Sequence, residues 1–198
     1  MRVNFRGTEV YISFLFTLLL SFMIAFDASL TVLMCFISII LHELAHTLML
    51  CIFKVPVRKL ELQPFGIYIE HAECMLRQKE QIFVSAAGVM LNLFTALMFS
   101  LVYIFCKNQF FLKIAMINFL LFIFNFLPVN NLDGGDLLKI CLTLKLGNER
   151  GCAIFRRVSF CVSAGMIICG IAVFIWLNHN PSLLIISVNL LFYCFINK

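Results

Sequence analysis

The sequence predicts an all-α polytopic membrane protein of about six transmembrane helices, with a small β-hairpin between the second and third. Three features dictate that class. Of 198 residues, 63% are hydrophobic and only 13% are charged, where soluble domains run nearer half and a quarter. The apolar residues gather in six charge-poor runs, at residues 8–26, 28–53, 81–106, 114–132, 158–177 and 182–197, with lengths suited to a hydrocarbon core of about 30 Å. The basic residues between these runs alternate in density, and that alternation sets an orientation.

Arg2 and Arg6 precede the first run. Lys54, Arg58, Lys59, Arg77 and Lys79 separate the second from the third, and Lys139, Lys145, Arg150, Arg156 and Arg157 lie around the connection from the fourth to the fifth. Lys198 ends the chain, and the remaining connections hold only Lys107 and Lys113. With both termini inside, thirteen basic residues face the cytosol and two face out, the asymmetry that orients membrane proteins. The net charge of +5 therefore encodes topology, and no soluble basic face exists to bind nucleic acid.

The first run lacks a small-x-small cleavage pattern before Asp27, so it is expected to stay as a helix. The nine cysteines include no C-x-x-C pair and read as small apolar side chains kept reduced. Between the second and third runs, Phe65, Ile67 and Ile69 alternate with Gly66, Tyr68 and Glu70, a period of two that indicates a strand. Leu60 and Leu62 before Pro64 extend the pattern into a hairpin. Such an edge could pair with an unwound peptide by strand addition, which makes Phe65 and Ile67 candidate substrate contacts; a plain connecting hairpin is the other reading. Residues 137–146 form a leucine-rich stretch flanked by Asp136 and interrupted by Lys139 and Lys145, suited to a continuation of the fourth helix or to the membrane interface. The absence of repeats or linkers predicts a single domain over residues 1–198.

The polar residues that hydrocarbon should exclude are the informative ones. The second run carries His42-Glu43-Leu44-Ala45-His46 after fourteen uncharged residues. Histidines at i and i+4 share a helix face, so their imidazoles can converge on one metal ion. Glu43 is rotated by about 100°, where its carboxylate addresses a metal-bound water rather than the metal, as in the H-E-x-x-H pattern of zinc peptidases. Without a metal, burying these groups in a membrane is costly.

A catalytic zinc takes a third protein ligand and keeps one position open. Asp133, one of three aspartates, follows nineteen uncharged residues and sits in Asn125-Phe126-Leu127-Pro128-Val129-Asn130-Asn131-Leu132-Asp133-Gly134-Gly135. Pro128 removes a backbone donor and the two glycines admit unusual dihedrals, so the fourth helix should break there. Irregular backbone at membrane depth requires protein or water around it, which fits a carboxylate turned toward a hydrated site. The other reading of Asp133 is a helix cap.

Taken together, H-E-L-A-H in one segment and N-x-x-P-x-x-x-L-D-G-G in a later one resemble the site-2 protease family of intramembrane zinc metalloproteases. Leu62-Gln63-Pro64-Phe65-Gly66 and Ala86-Ala87-Gly88-x-x-x-Asn92 resemble its stage IV sporulation branch. The chain departs from the pattern at Val89 and at Asn130-Asn131, positions that set backbone stiffness rather than metal chemistry. The resemblance implies one zinc per chain held by His42, His46 and Asp133, with Glu43 as catalytic base and Asn125 on the substrate backbone. It implies a membrane-tethered substrate such as a sigma-factor precursor, regulatory membrane partners, and a bacterial cytoplasmic membrane with the site open to the cytosol. The PDZ or CBS modules appended in some relatives have no room here. A catalytically silent zinc-binding scaffold and a metal transporter are the alternatives from other classes, the second disfavoured by the absence of repeated halves.

Overall fold

The computed structural model describes residues 2–5, 8–12, 30–63, 66–71 and 76–176, with isolated positions at 21, 25, 187, 188, 190 and 191. Four strands, β1 (Arg2–Phe5), β2 (Thr8–Ile12), β3 (Val57–Gln63) and β4 (Gly66–His71), form one sheet in that order. β1–β2 and β3–β4 pair antiparallel, and β2–β3 pair parallel. Five helices of more than one turn accompany them among the described residues: α1 (Thr31–Ile52), α2 (Gln78–Cys106), α3 (Gln109–Asn125), α4 (Asp133–Leu146) and α5 (Asn148–Trp176).

Six crossings are not what the described residues contain. Three helices, α1, α2 and α5, are long and apolar enough to span a bilayer. The fourth expected span is shorter than its apolar run, because α3 has 17 residues and a rise of about 1.5 Å per residue gives it roughly 25 Å. It stops at Asn125, three residues before Pro128, and the leucine-rich stretch forms the separate helix α4. The first expected run begins as strand β2 rather than helix: Val10, Tyr11 and Ile12, β-branched or aromatic, pair with Leu60, Glu61 and Leu62 of β3. Most of the rest of that run and most of the last, 182–197, lie outside the described residues.

The chain divides into two compact units, residues 1–122 and 123–198. In the first, α1 packs on α2, and the buried positions of α1 are Met34, Ser38, His42, His46 and Leu50. Their spacing of four makes a single ridge of the kind that seats in a neighbouring helix groove. The facing positions of α2, Gly88, Val89, Asn92 and Ala96, are small or polar. The large apolar side chains point the other way: Leu41, Leu44 and Leu48 on α1, and Phe94, Leu97 and Leu101 on α2, are exposed. Polar and small residues thus share the buried seam with Met34, Leu50 and Val89, while large apolar side chains cover the outside, as in a helix pair solvated by lipid. A further buried bond ties α3 to α1: the Asn118 side-chain amide donates to Ser38 Oγ at 3.0 Å and to the Ile114 carbonyl at 3.0 Å.

In the second unit α4 packs on α5. A small apolar core of Val129, Leu132 and Leu190, flanked by Phe124, Leu127, Val162 and Met166, underlies the turn that leads into α4.

Candidate metal centre

His42 and His46 occupy adjacent rungs of the buried α1 ridge, each less than a tenth exposed. Their Nε2 atoms lie 3.1 Å apart, with the rings 4.7 Å between centroids and 82° between planes. Two nitrogens on one tetrahedral zinc, each about 2.0–2.1 Å from the metal, stand roughly 3.3 Å apart. The pair therefore has the separation of two ligands on one ion. The outward nitrogens are held as well. His46 Nδ1 donates to the Val84 carbonyl of α2 at 2.8 Å, and His42 Nδ1 lies 2.9 Å from the Asn92 side-chain amide nitrogen. Contacts of this kind fix ring orientation in metal sites.

Gly88 sits between these contacts, one helical turn after Val84 and one before Asn92. A Cβ there would collide with His46 Nε2 and lie 2.6 Å from His42 Cε1 and 2.8 Å from His42 Nδ1. Its lack of a side chain is what lets the α2 backbone reach the imidazoles. Glu43, half-buried, follows His42 on α1, and Thr47 Oγ1 donates to its carbonyl at 3.0 Å.

Asp133 and Asn125 belong to the second unit. Asn125 is the last residue of α3 and Asp133 the first of α4, both half-buried. The break between them is a series of tight turns: Val129 N–H donates to the Leu127 carbonyl at 2.8 Å, and Leu132 N–H to that of Val129 at 3.2 Å. Asn131 takes a left-handed φ of 68°, a conformation asparagine tolerates better than most residues. Asn130 N–H donates to Ser159 Oγ of α5 at 2.9 Å. The two glycines act differently from the expectation. Neither has positive φ; both lie in the first turn of α4, where a Cβ on Gly134 would strike the Phe126 carbonyl and one on Gly135 the Val129 carbonyl. They permit close approach of backbone, not an unusual dihedral.

Of the remaining expected site residues, Phe65 lies outside the described residues, and Ile67 pairs with Leu62 in the β3–β4 ladder. Sequence reasoning assigned no role to Val84, Gly88 or Asn92. Asn92 could have been found by the rule that picked out the histidines, since it is a carboxamide inside the apolar run 81–106. A backbone carbonyl such as that of Val84 leaves no such signal.

Comparison with known proteins agrees with this chemistry. Peptidase family M50 matches residues 30–109 and 106–166, well over half of the chain. No curated protein matches it in sequence. Among solved structures, the site-2 protease from Methanocaldococcus jannaschii is similar, with a TM-score of 0.68, 20% identity, and coverage of 99% of this chain and 94% of that one. At that identity the likeness is one of fold, and neither match singles out a sporulation branch. A buried histidine pair set at zinc-ligand spacing on a membrane-type helix is what such a peptidase requires, and the chain belongs to peptidase family M50, the metalloproteases of the site-2 type.

Proposed function

We propose that the protein is an intramembrane zinc metalloprotease that cleaves a membrane-tethered protein within or near the bilayer. The observation that carries this reading is the His42–His46 pair, with Nε2 atoms 3.1 Å apart inside a chain of the M50 family. His42, His46 and Asp133 are the proposed donor set for one zinc ion, two neutral imidazoles and one carboxylate, a combination known from catalytic zinc. Bound there, zinc supplies a Lewis acid and lowers the pKa of water toward 7. Glu43 acts as general base: it takes a proton from the attacking water as its oxygen bonds to the scissile carbonyl carbon. It then gives that proton to the amine nitrogen as the C–N bond breaks.

Asn125, at the end of a helix, is placed by this reading on the substrate backbone, where a side-chain amide can serve both an exposed N–H and a C=O. An unwound substrate strand adds to the β4 edge of the sheet, which carries Ile67, and alanine at Phe65 or Ile67 is expected to slow cleavage several-fold. Unchanged rates in a cleavage assay would remove that part of the proposal. The five basic residues around the α1–α2 connection (Lys54, Arg58, Lys59, Arg77 and Lys79), against Lys107 and Lys113 around the α2–α3 connection, support an opening on the cytosolic side of a bacterial membrane. A tethered transcription-factor precursor is the kind of substrate this geometry would release.

The test is zinc content and cleavage measured together on detergent-purified protein. About one zinc per chain is expected, and Glu43→Gln should keep it while cleavage falls by about 10²–10⁴-fold. Absence of zinc from the purified protein would overturn the reading, and cleavage unaffected by Glu43→Gln would remove the general base. Metal flux into liposomes without proteolysis would favour a transporter instead.

A further inference from the structure

Three contacts of the two imidazoles, to Asn92, to each other and to Val84, fit one set of donors and acceptors when both rings are neutral. His46 Nδ1 carries a proton, since it faces the Val84 carbonyl at 2.8 Å; its Nε2 therefore presents a lone pair. His42 Nε2, 3.1 Å away, can donate into that lone pair only if His42 Nδ1 is the unprotonated nitrogen. Asn92 then donates its amide N–H to His42 Nδ1 at 2.9 Å. The chain Asn92→His42→His46→Val84 then uses the single N–H of each imidazole and one N–H of the Asn92 carboxamide. Its cost is visible: Asn92 Oδ1 is buried without a hydrogen-bond partner, although Asn92 as a whole is only 1% exposed.

A metal on both Nε2 atoms is incompatible with that chain. His42 Nε2 must give up its proton to coordinate, and a neutral imidazole then carries the proton on Nδ1. Nδ1–H now needs an acceptor where the Asn92 NH₂ stood. A half-turn of the carboxamide about its last torsion brings Oδ1 there and exchanges two groups of nearly the same shape. We propose that Asn92 is a positioning residue for His42 whose amide donates in the empty centre and, turned over, accepts from Nδ1–H in the loaded one. The inference rests on the metal reading given above and concerns Asn92 alone. It needs no movement of helix α2, because the same atoms of one side chain serve both states.

Leucine at position 92 keeps the volume and removes both groups, while aspartate keeps an acceptor and never donates. Zinc affinity of the full chain in detergent, stripped and then titrated against a competing chelator, reads the difference. Asn92→Leu should bind zinc about 10–100-fold more weakly, the usual loss when a ligand's outer partner is removed. Asn92→Asp should bind within a few-fold of wild type or more tightly. Asn92→Ala substitutes for leucine if the larger side chain does not yield monodisperse protein. A packing role would give the reverse order, with leucine tolerated and the buried carboxylate harmful. Wild-type affinity in Asn92→Leu, or equal losses in leucine and aspartate, would overturn the assignment while leaving the metal centre standing. A wild-type protein that takes up no zinc would overturn both.

Discussion

Gly88→Ala should strip the protein of zinc and of activity together. The added methyl would fall on His46 Nε2, the atom proposed to ligate, and within 2.6–2.8 Å of two atoms of the His42 ring. Overpacking a fitted site costs about 1–3 kcal/mol when neighbours can adjust. Here the neighbours are the two proposed ligands, so any adjustment would move them out of the geometry a metal needs. His46 cannot swing away without breaking its bond to Val84, nor His42 without leaving Asn92. We expect zinc affinity to fall more than about 100-fold, beyond the usual loss from a missing outer partner, with the helical circular dichroism spectrum retained. Atomic absorption on the purified variant decides it: a full zinc complement would show that the α2 backbone does not abut the centre. Gly165→Ala is the control, because nothing lies within 4 Å of a Cβ added there.

Gly135→Ala should abolish cleavage by a different route. Its Cβ would strike the Val129 carbonyl oxygen, with the Val129 carbonyl carbon at 2.7 Å and nitrogen at 3.3 Å. These are backbone atoms of the turn before α4, and no flexible side chain is available to yield. That turn is also pinned from beneath, by Val129 and Leu132 in the local core and by Ser159 on the Asn130 N–H. The strain must open the turn or displace the first residues of α4, and Asp133 is the first of them. Loss of turnover with thermal stability lowered by several degrees is expected, consistent with a cost of about 1–3 kcal/mol. Full activity in Gly135→Ala would mean that Asp133 does not depend on this turn for its position.

How much of this could be read from the sequence depends on the kind of signal. His42, Glu43, His46 and Asp133 stand out because charged or titratable groups are rare in apolar runs and each needs a reason to be there. The end of α3 was legible only approximately: Pro128 marks a break, but the helix ends at Asn125 because the following carbonyls and N–H groups turn back on one another. Gly134 and Gly135 were assigned to dihedral freedom when their role is steric, a distinction that depends on a backbone several residues away. Gly88 and Asn92 could be seen as a motif but not as neighbours of the histidines, since α1 and α2 meet only in three dimensions. Strand β2 was missed because its partner β3 lies some fifty residues on, and an apolar run alone does not separate strand from helix.

The support for His46 comes from a carbonyl rather than a side chain, and this shapes how the family member can vary. Any residue at position 84 that keeps the helix supplies the same acceptor, so selection on the metal centre is blind to the identity of that side chain. One turn later, position 88 accepts glycine alone, and one turn beyond that, position 92 requires a group able to accept from an imidazole. A single face of α2 therefore carries three successive grades of mutational tolerance, open, closed and restricted. A saturation library across these three positions would reveal the outline of the centre in surviving clones, without a ligand ever being observed.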